Sequence, residues 1–262
     1  MVYILYILFG LLPSIIWLFF YLKKDAHPES NRMIIKMFFY GMVAAIIAAA
    51  VEIGIEVSAG FFAHLSKIET DSLSLVLFII YHLLVIAFVE EIAKFFIVRQ
   101  KVINDKEFDE PPDAMLYMII IALGFAALEN LLYLSPLLFP SWFPEAIRLS
   151  LTQAALVTGF RFIGATFLHA LASGLIGFFL AYSIFFPKRK YLLLTTGILI
   201  ASILHGLFNI SIIGLGIGVE SKNTTLILIS VSSLIITLSS LAIFVSFGFK
   251  KLKRIASVCK IK

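Results

Sequence analysis

Long apolar runs separated by short polar stretches dominate the chain. They fall near 2–22, 33–63, 72–99, 113–134, 160–186, 191–217 and 224–249. An α-helix needs roughly 20 apolar residues to cross a bilayer core, so this pattern predicts an all-α polytopic membrane protein. About seven transmembrane helices are expected, forming one integral membrane domain over residues 1–262. The second run exceeds a simple span and is expected to protrude from the bilayer. The first lacks a basic leader and a small-residue cleavage site, so it reads as a retained span. Between the fourth and fifth runs the pattern breaks. Pro136, Pro140 and Pro144 are followed by an amphipathic segment from Glu145 to Leu156. A loop plus an interfacial or re-entrant helix is expected there, with Trp142 at headgroup level.

Composition agrees and excludes other classes. Hydrophobic residues make up 61% and charged residues 14%, with a mean hydropathy of +1.05. Soluble domains carry roughly 45–50% apolar and about 25% charged residues. The lone cysteine, Cys259, excludes a disulfide framework and a Cys-based metal cluster.

The net charge of +5 acquires meaning from its distribution. Lys23, Lys24, Arg32, Lys36, Arg99, Lys101, Lys106, Lys188, Arg189 and Lys190 lie in the first, third and fifth loops. Lys250, Lys251, Lys253, Arg254, Lys260 and Lys262 lie in the basic tail, 250–262, whereas the opposite loops hold only Lys67, Arg148 and Lys222. The positive-inside rule therefore puts the tail in the cytoplasm and the N-terminus outside, in a plasma membrane. The tail reads as a contact with the anionic lipid bilayer, not with nucleic acid.

Charged groups inside a span cost about 2.5–3.5 kcal/mol each by insertion scales and mark function by default. Here they are Glu90, Glu91 and Lys94 in the third run, Glu129 in the fourth and Arg161 in the fifth, with His169 and His205. Glu52, Glu56 and His64 are expected to emerge into the outer interface, and His82 to bond a neighbouring helix. At about 1.5 Å per residue from the cytoplasmic ends, Glu129, His169 and His205 lie roughly 24, 25 and 21 Å deep. Glu90 comes out nearer 13 Å by the same count if its helix stops at Arg99, and approaches the others if that helix runs on through Gln100 to Lys106.

Lys94 follows Glu90 by four residues and Glu91 by three, so it can neutralise either carboxylate. Phe125 and Glu129 share a face with Asn130 alongside, and His205 and Asn209 share another. Three protein ligands and one open position make a catalytic zinc site. Without metal, a glutamate–histidine pair can still activate water, with Asn209 donating to a developing oxyanion. Hydrolysis inside the membrane is one reading; a proton-coupled transporter with buried relays is another, and a non-proteolytic scaffold or chaperone is a third. HExxH zinc-protease, paired-aspartate and serine-elbow plans find no match in the sequence.

Four segments carry a family resemblance. Glu90-Glu91-Ile92-Ala93-Lys94 looks like E-E-x-x-K, and Phe125 to Asn130 looks like F-x-x-x-E-N. His169, then His205 with Asn209, complete the order. The set resembles the PrsW family of intramembrane proteases, distant relatives of the CAAX prenyl endopeptidases and bacteriocin-processing enzymes, over residues 80–210. The resemblance implies an endopeptidase, of metallo- or glutamate type, that cuts a membrane-anchored protein such as an anti-sigma factor. Glu90 and Glu91 would be catalytic acids, His169 and His205 would activate water or hold metal, and Asn209 would donate to the oxyanion. Lys94, Phe125 and Asn130 would support them. If zinc is held, the resemblance implies Glu129 as the third ligand beside His169 and His205, or else as a site carboxylate.

Overall fold

The computed structural model describes residues 2–24, 28–58, 72–134 and 150–256. His64, Lys67, Trp142, Arg148, Cys259 and the three loop prolines lie outside them. Helices account for most of the described residues, without a strand among them. In order they are α1 (Val2–Leu22), α2 (Asn31–Ser58), α3 (Ser72–Ile80), α4 (Ala87–Lys101), α5 (Pro111–Tyr133), α6 (Leu151–Ile163), α7 (Ala165–Phe185), α8 (Lys190–Glu220) and α9 (Thr224–Ala256). A π-helical stretch, Tyr81–Ile86, joins α3 to α4 without interruption. Seven helical stretches are long and apolar enough to cross a membrane.

The bundle is organised around α5. Every residue from Pro111 to Ala127 is buried, because this helix is apolar all round and has neighbours on all sides. It packs on α7, α2 and α1. Its start is fixed by a capping box: Asp113 Oδ2 accepts from the backbone N–H groups of Glu110 (2.7 Å) and Asp109 (3.0 Å), with Pro111 and Pro112 opening the helix. At the α2–α5 crossing two glycines let the backbones touch. A Cβ on Gly124 would lie 1.9 Å from the Phe38 carbonyl oxygen, and one on Gly41 would lie 2.1 Å from that of Ile121. The outer faces of α2 and α9 expose Ile46, Ile236 and Ile243 by 60% or more, as helices facing hydrocarbon do.

Two breaks depart from seven uninterrupted helices. The fifth run divides at Gly164 (φ −96°, ψ −94°) into α6 and α7. Ser150 caps α6, its Oγ accepting from the Gln153 N–H while the Gln153 side chain accepts from the Ser150 N–H. The expected amphipathic segment thus lies outside the described residues up to 149 and continues as α6 beyond. The second break is the π turn, four residues ahead of Glu90.

Candidate active site

Helix α4 delivers Glu90, Glu91 and Lys94 into the protein interior, where all three are buried. Successive helical residues diverge by about 100°, and the two carboxylates have different surroundings. Glu91 is fully enclosed and takes three donors: Lys94 Nζ at 2.8 Å, Ser173 Oγ at 2.8 Å and His205 Nδ1 at 2.9 Å. Glu90 is the other extreme. Its Oε2 is buried with no hydrogen-bond partner among the described residues, 3.6 Å from Lys94 Nζ.

The two imidazoles arrive from α7 and α8. Lys94 Nζ lies 2.9 Å from His169 Nδ1. An ammonium only donates, so Nδ1 accepts and the ring proton sits on Nε2. That N–H donates to Glu129 Oε2 at 2.8 Å. In His205 the assignment reverses: Nδ1–H donates to Glu91, leaving the Nε2 lone pair 3.6 Å from Glu90 Oε2. The rings meet edge to face, 4.8 Å between centroids. Phe125 closes one side, with its ring 4.2 Å from Lys94 Nζ.

An outer layer fixes Glu129. Arg161 Nη2 donates to Glu129 Oε2 at 3.1 Å while its Nε donates to Asn130 Oδ1, and Asn130 Nδ2 donates to Thr166 Oγ1 at 3.1 Å. The Arg161 guanidinium also lies over the Tyr133 ring, 4.0 Å from its centroid. One arginine of α6 thereby ties three elements together at the site.

A cavity of about 530 Å³ leads to Glu90 between the π turn, α6 and α8; His82, Ile86, Arg161, Phe208 and Asn209 are among its walls. Helix α8 reaches the π turn because residue 206 is glycine: a Cβ there would lie 2.1 Å from the Leu83 carbonyl oxygen. His82 bonds the Phe78 carbonyl of its own helix at 3.0 Å, and among the described residues it has no hydrogen bond to a neighbouring helix. Glu52, expected at the outer interface, is half-buried, and its Oε1 has no hydrogen-bond partner among the described residues.

One ligand atom each from Glu90, His169 and His205 lies within 4.8 Å of the other two. An orphaned carboxylate oxygen facing two imidazole nitrogens is a donor set that fits a zinc-type ion. The His205–Glu91 hydrogen bond supplies the carboxylate partner that metal-bound histidines usually have. The three-donor group contains Glu90 where the sequence expectation had Glu129, which meets the far nitrogen of His169. Holding an ion at His169 Nδ1 requires Lys94 to turn toward the carboxylates.

These groups stand in the order of the motifs, and a match over most of the chain decides the family. Residues 29–238 match the family described as PrsW family intramembrane metalloprotease. The chain belongs to the PrsW family. It is similar to Protease PrsW of Geobacillus kaustophilus, 28% identical over 209 residues, covering 76% of each chain. Protease PrsW of Bacillus subtilis is also 28% identical, over 76% of this chain and 79% of that one. For Protease PrsW of Clostridioides difficile the identity is 27%, over 77% and 76%. No solved structure matches. The protein is an integral membrane protein and an intramembrane protease of the PrsW family.

Three polar side chains at the site have no role assigned from sequence. Ser173 reads as a small packing residue, but it follows His169 by four residues on the same helical face, and that spacing is its signal. Thr166, three residues before His169, has the same kind of signal. Arg161 stands out only as a charge in a span.

Proposed function

We propose that this protein hydrolyses a peptide bond of a membrane-anchored protein, with a water activated at Glu90. The observation carrying this reading is Glu90, on the wall of a cavity, whose Oε2 has no hydrogen-bond partner among the described residues and faces His169 and His205. The family resemblance extends it to a single-span regulator of the anti-sigma-factor type.

In the proposed reaction a water beside Glu90 attacks the carbonyl carbon of the scissile bond. Glu90 accepts its proton and returns it to the leaving amine. Asn209, on the cavity wall, donates to the oxyanion that develops. Glu91 and Lys94 position His205 and His169, while Glu129 and Arg161 hold the far side of His169. If zinc is bound, Glu90, His169 and His205 would hold it, and Glu90 would then be a ligand and not the base. When bound, the ion would polarise the scissile carbonyl and bring the pKa of water toward neutrality.

The excess of lysine and arginine in the odd loops and tail supports an orientation with the C-terminus in the cytoplasm. Cleavage then falls in the outer half of the membrane.

The test compares membrane-protein fragments from cells making the wild-type chain with those from cells making Glu90→Gln at equal abundance. A new terminus within or beside a transmembrane segment, found only with the wild type and reproduced in proteoliposomes, is expected. Identical fragment sets, with no cleavage in proteoliposomes, would overturn the reading.

A further inference from the structure

At the basic end of the bundle, away from Glu90, a groove of about 680 Å³ runs between α1, α7 and α9. We propose that it binds an anionic glycerophospholipid, acyl chains in the groove and phosphate at its mouth. This inference is independent of the catalytic reading.

The body of the groove is apolar and largely aromatic. Trp17 stacks on Phe167 at 4.2 Å and on Phe162 at 5.4 Å, and Tyr21 stacks on Phe249 at 6.2 Å. The Trp17 N–H, which would otherwise be an unsatisfied donor against hydrocarbon, is spent on the Phe162 carbonyl at 2.9 Å. That leaves a wall suited to chains, not to polar solutes.

The mouth is chemically opposite. Lys24 of the segment after α1, with Lys250 and Lys253 of α9, lines it. All three are exposed, and among the described residues none is ion-paired to a carboxylate. Each lysine near an anionic headgroup favours binding by a factor of about five, so three give on the order of a hundredfold.

The depth of the groove identifies the class of occupant. From Lys24 back to Ile16, and from Lys253 back to Ala242, the lining runs roughly 12 to 16 Å along the helices. That is about half of a ~30 Å hydrocarbon core, or one leaflet. A molecule with a negative head at the lysines and an apolar body one leaflet long is a phospholipid. A soluble phosphate would use only the mouth.

Native mass spectrometry of the full chain in detergent tests this with phosphatidylglycerol, phosphatidylcholine of the same chains, and sn-glycerol 3-phosphate. Phosphatidylglycerol should be retained at least about tenfold better than phosphatidylcholine. The combined Lys24→Gln, Lys250→Gln and Lys253→Gln variant should lose that preference, while Lys251→Gln keeps it. Filling the groove with Ala242→Phe should reduce retention of both lipids. Glycerol phosphate should not compete. Equal retention of the two lipids, a preference that survives the triple substitution, or unchanged retention in Ala242→Phe would each overturn the proposal. Competition by glycerol phosphate would also overturn it, pointing to a free-phosphate site.

Discussion

Lys94 Nζ bridges Glu91 Oε1 at 2.8 Å and His169 Nδ1 at 2.9 Å, so one buried cation sets both a carboxylate and a tautomer. Taking it away leaves Glu91 enclosed without its compensating charge. Lys94→Met should cost about 3–5 kcal/mol of stability. The double variant Glu91→Gln with Lys94→Met should recover about 1–3 kcal/mol relative to the sum of the single changes. Thermal unfolding in detergent measures both.

The two adjacent glutamates should behave differently. Glu90→Gln removes a carboxylate whose Oε2 has no hydrogen-bond partner among the described residues. Cleavage should fall by about 10²–10⁴ while the unfolding temperature stays close to wild type. Glu91→Gln disturbs three hydrogen bonds and should lower activity and unfolding temperature together. Rate and melting curves from the same preparations separate the cases.

Metal content checks the donor set. Protein purified without chelators should carry about one zinc per chain, lost in His169→Ala and His205→Ala. Glu129→Gln should retain metal, because Glu129 meets the other nitrogen of His169. Chelation should abolish cleavage and added zinc restore it. Activity that persists in metal-free protein would favour the glutamate-type mechanism.

Arg161 is a positioning residue whose fork contacts Glu129 and Asn130 together. A lysine there has one ammonium and no planar fork. Arg161→Lys and Arg161→Ala should therefore both lose about 10- to 100-fold in activity, with bound zinc weakened, not abolished. Full rescue by lysine would mean that charge alone matters.

The α2–α5 crossing supplies a test of packing away from the site. Gly124→Ala drives a methyl group into the Phe38 carbonyl and should destabilise by about 1–3 kcal/mol or more. Gly54, on the same α2, has nothing within 4 Å of its would-be Cβ. Gly54→Ala should be neutral or stabilising by up to about 1 kcal/mol.

The helical class and the number of spans are legible in the sequence because a run of apolar residues is a strong, local signal. Glu90, Lys94, His169 and His205 are legible as charges or imidazoles in the wrong solvent, and the structure places them side by side. Depth is harder to read. Counting from helix ends leaves Glu90 about 8–12 Å short of its partners, yet Glu90 Oε2 lies 3.6 Å from His205 Nε2. Helix α4 ends at Lys101, and Val102 and Phe108 after it are buried. The helix ends are therefore staggered, and no single chain segment encodes that offset. Ser173 and Thr166 escape notice because a hydroxyl on a small residue looks like packing until its partner is known. The π turn escapes because five of its six residues are ordinary apolar span residues, with His82 the exception.

The π turn also gives the third span a reading frame. Its hydrogen bonds close over one residue more than those of an α-helix. Removing one residue from Tyr81–Ile86 would let α pairing continue with α4 still in phase with α3. Closing the turn to α pairing with all its residues kept would instead rotate α4 by about 100°. The apolar stretch would still span the bilayer, but Glu90, Glu91 and Lys94 would be aimed away from His169 and His205. A compensating single deletion before Glu90 should bring them back into phase, as a second shift restores a frame.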